Sequence, residues 1–404
     1  MPETHLPERR MNGVSYRWER IPQIVSFADR ASFTETYGFA GNSGKVNLEG
    51  QLLRAASRTS KTLYVFMHPT STLQLLPMPM ALADLGLHVL CAASRYPKND
   101  SALIMENVVV DLGEWMRHAR EVLGYERVIL VGWSGGGSLS LFYQAQAENP
   151  DVTHTPAGDP VNLMAEKLRA ADGVIFVAAH LSRAETLTEW LDPSVTDELD
   201  PDRRDLAFDI YSAQCPAQPP YSADFIAAFR AAQVARNRRI TAWCQEKLKT
   251  LRESKTGEME RAFVVHRTMC DVRWLDPTVD PNGRKPGRCY MGDPRAVNVG
   301  PVGLARFSTL RSWLSQWSYD LSNAKGPANA AKIRRTPVLQ IENTADDAVP
   351  ATHNPAIYAA LATPDKRLLR LEGATHYYVG QPELLKQCTD TVVAWSREKR
   401  FLPD

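Results

Sequence analysis

The sequence predicts an α/β protein: a mostly parallel sheet with helices on both faces, interrupted by one long, mainly helical insertion. Three observations carry this. Short apolar runs alternate with segments of helical period through residues 62–179 and again through 336–399. One such run, 128–131, breaks at Gly132-Trp-Ser-Gly-Gly136 directly before a helical pattern. Between the two alternating stretches the rhythm stops, and residues 180–335 are rich in proline, arginine, tryptophan and tyrosine.

In order, residues 1–30 read as a poorly specified arm. Residues 45–54 alternate well enough for an antiparallel strand near the sheet edge. A continuous apolar strand at 62–67 ends at His68-Pro-Thr-Ser71, and a helix over 76–85 is capped by Gly86. Residues 87–92 form the next buried strand, 94–101 a turn-rich loop, and 106–123 a helix closed by Gly124. The strand at 128–131 and the helix at 138–147 flank the glycine-rich turn, and 171–179 supplies another strand. The insertion contains helical stretches at 223–253 and 308–321 and an extended irregular segment at 276–301. The rhythm resumes with strands at 336–342 and 367–371 and helices at 355–361 and 382–399. The expected organisation is a core of 31–179 and 336–404, with 180–335 as a cap.

Bulk properties narrow the function. A chain of 404 residues is long for one domain and suits a core with a large insertion. A net charge of +1 provides no field for nucleic acid or an anionic membrane, so neither is an expected partner. The six cysteines show no Cys-x-x-Cys spacing, which argues against a metal and fits reduced thiols. The first ten residues lack the apolar stretch of a secretory leader, and no run reaches the ~18 apolar residues of a bilayer span. A cytoplasmic location is expected, and a homo-oligomer is left open.

The chemistry centres on Ser134. A strand, a sharp Gly-x-Ser-x-Gly turn and a helix would hold its hydroxyl above the sheet in a strained conformation, beside the free N–H groups of a helix start. A glycine-rich turn that only packs, or binds phosphate, is the alternative. A dinucleotide fingerprint would need glycine at 134, and Gly41-Asn-Ser-Gly-Lys45 fails as a phosphate loop because Val46 stands where Ser or Thr must hold magnesium. A serine needs a base and a group to orient it. Two later strands end in suitable places: Asn343-Thr-Ala-Asp-Asp-Ala-Val-Pro350 offers Asp346 and Asp347, and Glu372-Gly-Ala-Thr-His376 offers His376.

On these residues the chain resembles the α/β-hydrolase-fold serine hydrolases, esterase-like and with a large cap inserted after the sixth strand. The likeness rests on Gly132-Trp-Ser-Gly-Gly136, on Asp346 three residues before Val349-Pro350, and on His376 in Gly373-Ala-Thr-His, and it covers both core segments. It implies Ser134 as nucleophile, His376 as base and Asp346, rather than Asp347, as the acid. It also matches 94–101 to the family's arginine-containing loop after the fourth strand. The main-chain N–H of Gly135 is the expected first oxyanion donor. The second should come from the loop after the third strand, where the family often has His-Gly-x. Here His68-Pro-Thr departs from that pattern. Pro69 has no N–H, so Thr70 is the expected donor and Ser71 the reserve.

Among the other histidines, His68 reads as a structural loop residue, His88 as core, and His180 and His266 as candidates for the cap side of the pocket. Trp133, Trp313 and Trp317 are expected to contact substrate. Trp313 and Trp317, four apart, would share a helix face that either lines the pocket or docks the cap. Arg236, Arg238 and Arg239 read as a solvated helix face. The expected activity is hydrolysis of a carboxylic ester of a small to medium, partly hydrophobic substrate without a cofactor. A lactonase, thioesterase, amidase, acyltransferase or C–C bond hydrolase would use the same three residues. A non-catalytic binding protein on the same fold is the alternative of a different class.

Overall fold

The computed structural model describes residues 16–28, 44–55, 57–254 and 256–403. The first ten residues and most of Gly41–Lys45 lie outside them. In chain order the first elements are β1 (Glu19–Ala28), β2 (Lys45–Arg54), β3 (Thr62–Met67), α1 (Pro77–Asp84) and β4 (His88–Ala92). Next come α2 (Met105–Glu121), β5 (Arg127–Ser134), α3 (Gly135–Glu148) and β6 (Gly173–Ala179). The chain then leaves the sheet for α4 (Arg183–Trp190), α5 (Ala223–Glu253), β7 (Ala262–Val264), α6 (Val272–Leu275) and α7 (Pro294–Val299). β8 (Phe307–Thr309), α8 (Leu310–Ser312), a π-helical turn at Trp313–Trp317 and α9 (Gly326–Ala330) complete this excursion. It returns to β9 (Val338–Asn343), α10 (His353–Ala360), β10 (Lys366–Leu371) and α11 (Pro382–Glu398).

The eight-stranded sheet has the order β1-β2-β4-β3-β5-β6-β9-β10. β1 and β2 are antiparallel, and the strands from β4 onward run parallel. Side chains of β3, β4, β6 and β9 are buried along their whole length, as they must be when helices cover both faces. One face packs Leu112 and Trp115 of α2 and Phe142 of α3 against Val65 and Leu130. The other packs Leu82 of α1 and Val392 and Trp395 of α11 against Tyr64 and Ile129. This sheet order, with the serine turn at the end of a central strand, is the α/β-hydrolase fold. No helix among the described residues is long and apolar enough to cross a membrane.

The structure departs from the sequence reading in three places. Residues 19–28 are not part of an arm but the edge strand, paired with β2 from Glu19↔Arg54 to Ala28↔Lys45. Its alternation is disguised, because Ile24 points outward and is 68% exposed while Pro22 sits where an edge strand tolerates it. The expected helix at 308–321 is instead a short strand, one α-turn and one π-turn. Arg236 is buried rather than solvated. Its guanidinium meets Glu198 at 2.7 Å and the carbonyls of Asp192 and His266 at 2.9 and 2.7 Å.

The excursion between β6 and β9 has its own apolar centre, where Leu187, Ile240, Cys244, Leu314, Trp313 and Trp317 meet. α5 starts at Ser222, whose hydroxyl accepts the Phe225 N–H at 3.2 Å. Arg284 holds the irregular segment by donating to the carbonyls of Arg273, Val279 and Asp280. Cap and core are joined through Glu106 of α2, buried, which accepts from Ser315 Oγ at 2.7 Å and Asn323 Nδ2 at 2.9 Å. All six cysteines are buried and free of disulfides.

Close helix–sheet contact depends on the glycines of the serine turn. A methyl carbon on Gly136 would lie 2.5 Å from the main-chain oxygen of Met67 in β3. Gly136→Ala is therefore expected to cost about 1–3 kcal/mol of stability by overpacking, read from urea denaturation midpoints. An unchanged midpoint would mean that α3 can move off β3 without loss.

Candidate active site

β5 ends in Ser134 at φ +55° and ψ −126°, a backbone conformation that L side chains rarely adopt and that costs roughly 1–3 kcal/mol. The pairing of β5 with β6 shifts register between Trp133 and Ser134. α3 begins at the next residue, so the first N–H groups of that helix have no intrahelical acceptor beside the serine hydroxyl.

Two other strand ends bring the partners. His376, beyond β10, places Nε2 3.1 Å from Ser134 Oγ and Nδ1 2.8 Å from Asp346 Oδ2. Asp346, beyond β9, is oriented by its other oxygen, which accepts the N–H groups of Ala348 and Val349 at 2.8 and 2.9 Å. The Asp346 carboxylate accepts a hydrogen bond from His376 Nδ1–H, which keeps the proton on that nitrogen and leaves the Nε2 lone pair facing the serine. Trp133 supports the ring from one side, with centroids 4.6 Å apart, and its indole N–H donates to the His376 carbonyl at 3.3 Å. The neighbouring Asp347 makes no hydrogen bond to His376. Its main-chain oxygen accepts from the Trp274 indole, and burial and the Asp346 charge push its carboxyl pKa up.

Above the serine, residues of the segment between β6 and β9 border a cavity of about 130 Å³. Core residues His68, Trp133, Gly135 and His376 line it together with His180, Arg183, Trp190, Tyr290 and Leu304 from the cap side. His180 Nδ1 bonds Thr186 Oγ1 at 2.9 Å, and that hydroxyl in turn donates to the Ser182 carbonyl, so Nδ1 carries the proton. Burial first, then the nearby cationic and imidazole groups, hold both His68 and His180 well below the ordinary imidazole pKa, and both rings are neutral. Arg183 carries the one permanent charge among the described lining residues. Its guanidinium is held by Gln316 at 3.1 Å and Asp100 at 3.3 Å and lies 4.4 Å over the Trp317 ring.

Ser134, His376, Asp346, Gly135 and Trp133 are thus brought together. Thr70 and Ser71 also line the cavity, but their main-chain N–H groups donate to His68 Nδ1 at 3.1 and 2.9 Å and do not face the serine. Their expected oxyanion role is corrected, because the turn after Pro69 folds the loop back onto its own histidine. Trp313 and Trp317 do not line the cavity either. The π-turn directs both into the cap's apolar centre, where Trp313 Nε1 donates to Thr241 Oγ1. His266 lies on a separate surface groove with Leu199, Trp243 and Phe263. His88 is buried between Tyr125 and the Arg58 carbonyl. Arg95, in the loop after β4, pairs with Asp111 at 2.7 Å.

Arg183 and Tyr290 were missed by sequence reading. Arg183 had a usable signal, since it follows the C-terminal end of a parallel strand, where α/β sites gather. Tyr290 lies in the irregular segment and had none.

No family model matches the chain, and no curated protein matches it. Solved structures similar to it include the alpha/beta hydrolase GrgF from Penicillium sp. sh18, with 12% identity over 93% of this chain and 98% of that chain at a TM-score of 0.49. The monoacylglycerol lipase of Paleococcus ferrophilus has 14% identity over 87% and 99%, at a TM-score of 0.43. Est1E from Butyrivibrio proteoclasticus has 12% over 91% and 98%, at 0.45. Likeness at this level assigns no residue roles and no substrate.

The two neutral histidines make stability depend on pH. Unfolded, each ring gains a proton below about pH 6.5; folded, each stays neutral to lower pH. Their contribution is therefore complete above that pH and drains as pH falls, by up to about 1.4 kcal/mol per pH unit for each ring. Urea midpoints taken between about pH 7.5 and 5.5 should fall more steeply for the wild type than for His180→Gln. Parallel slopes would show that the His180 ring takes up its proton in the folded protein over the same pH range as in the unfolded chain.

Proposed function

We propose that this protein is a serine hydrolase that cleaves a carboxylic ester of a small, partly hydrophobic substrate through an acyl-enzyme on Ser134. The observation that carries this reading is the line of hydrogen bonds from Ser134 Oγ through His376 to Asp346, opening on a capped cavity. In the acylation step Ser134 Oγ forms a bond to the acyl carbon while His376 Nε2 takes the hydroxyl proton. Asp346 stabilises the resulting imidazolium. The ester C–O bond then breaks, and His376 returns the proton to the departing alcohol oxygen. Water, deprotonated by the same nitrogen, attacks the acyl carbon; the bond to Ser134 Oγ then breaks as His376 gives that proton back to the serine, and the acid is released.

The cavity supports the small end of the substrate range. The space above the serine is small, about 130 Å³. An acetyl or butyryl group suits a space of this size. Trp133, Trp190 and Leu304 give the wall its apolar part. Lactones, thioesters and amides pass through the same acyl-enzyme, and the ester is preferred as the simplest substrate for this arrangement.

Hydrolysis of p-nitrophenyl esters of rising acyl length tests the reading. Turnover should be highest for acetate or butyrate, fall for longer chains and vanish in Ser134→Ala. Asp346→Asn should lower kcat by about 10⁴-fold, while Asp347→Asn stays within a few fold of wild type. Activity that survives in Ser134→Ala, or equal losses at the two aspartates, would sink the proposal.

A further inference from the structure

An acyl-enzyme on Ser134 requires two hydrogen-bond donors at the place where the carbonyl oxygen becomes an anion. Gly135, at the start of α3, offers one main-chain N–H. The loop after β3 has none to give. Pro69 lacks an N–H, and those of Thr70 and Ser71 are taken up by His68 Nδ1.

That commitment fixes the state of the imidazole. A nitrogen that accepts two N–H bonds carries no proton, so a neutral His68 must hold its proton on Nε2. The Nε2–H stands directly over Gly135. A methyl carbon built on that glycine would lie 2.6 Å from His68 Nε2 and 3.3 Å from Arg183 Nη1. No described group accepts from Nε2, and the atom is not sealed in the interior but borders the cavity that Ser134 and Gly135 share. Arg183 is held through its Nε and Nη2 by Gln316 and Asp100, which leaves Nη1 turned toward the same spot.

We infer that the Nε2–H of His68 is the second oxyanion donor, a side chain standing where a main-chain N–H would be expected. The inference rests on the acyl-enzyme reading given above. As Ser134 attacks, the carbonyl π pair moves onto oxygen, and the His68 and Gly135 N–H groups shorten onto that oxygen. No proton leaves His68. When the C–O bond to the alcohol breaks, the pair returns to the carbonyl and both hydrogen bonds relax. His68 is thus a catalytic residue, while Thr70 and Ser71 are positioning residues that set its tautomer. Arg183 adds positive charge behind the same oxygen.

Two substitutions separate donor from scaffold. In His68→Asn the amide oxygen reaches the place of Nδ1 and accepts from Thr70 and Ser71, but the Nε2 donor is gone. In His68→Gln an amide N–H reaches the Nε2 position and the Nδ1 acceptor is gone. Two rates would be measured: covalent inactivation by a fluorophosphonate probe, whose phosphonyl oxygen occupies the same place, and kcat and KM for p-nitrophenyl acetate. Each variant's Tm would be measured alongside. His68→Asn should lower the inactivation rate and kcat by about 10²–10³-fold with KM within a few fold and Tm close to wild type. His68→Gln should recover part of that loss in spite of a lower Tm. Wild-type rates in His68→Asn would overturn the inference while leaving the acyl-enzyme intact, and so would losses in both variants that follow Tm alone. A wild-type protein that the probe does not label would remove the acyl-enzyme reading itself, and this inference with it.

Discussion

The left-handed backbone of Ser134 is the constraint on which the surrounding architecture depends. It turns the chain from the last residue of β5 into α3 without a loop, so the helix must lie against the sheet from its first residue. That approach leaves no room for Cβ atoms at Gly135 and Gly136, which face His68 and the main chain of Met67. The neighbouring strand deforms as well: Ala178 in β6 has φ +45° beside the register shift. Strain of this kind persists only where the surroundings over-determine it. Here a sheet buried on both faces and an apolar core on each side supply that support.

The polar groups around the serine are held by partners of their own. Asp346 is fixed by two main-chain N–H groups, His376 by Trp133, His180 by Thr186, and His68 by the loop that follows it. For these groups a fixed partner fixes the tautomer or the orientation, so little rearrangement is needed when charge moves. The Arg183 guanidinium borders the same space and adds positive charge there.

The parts that were legible in the sequence are those where local pattern and chemistry coincide. The buried strands read clearly because their residues are largely apolar; Ser134 stood out at the end of one of them, and Asp346 and His376 in the loops beyond two later strands, β9 and β10. α5 was legible as a long helical stretch over 223 to about 253, and Ser222 caps its start. The edge strand β1 was hidden by Pro22 and the outward Ile24, since one exposed face weakens the apolar signal. Trp313 and Trp317 were placed on a helix by their spacing, yet a π-turn and the cap's own need for an apolar centre decided their direction. Thr70 was reached by eliminating Pro69, a rule about which N–H groups exist that is silent on where they point. Arg236 reads as solvated on charge alone and is buried because Glu198 and three main-chain carbonyls, of Asp192, Arg267 and His266, answer all of it.

The burial of all six cysteines has a practical consequence. Burial raises the pKa of each thiol, so the nucleophilic thiolate is scarce in the folded protein. Reaction with an alkylating reagent must then wait for the chain around each sulfur to open. Cys91 and Cys388 sit in the sheet domain, and Cys215, Cys244, Cys270 and Cys289 in the cap. The natural sequence thus carries built-in reporters on both parts, and the order in which they become modified distinguishes a cap that loosens alone from a molecule that opens as one cooperative unit.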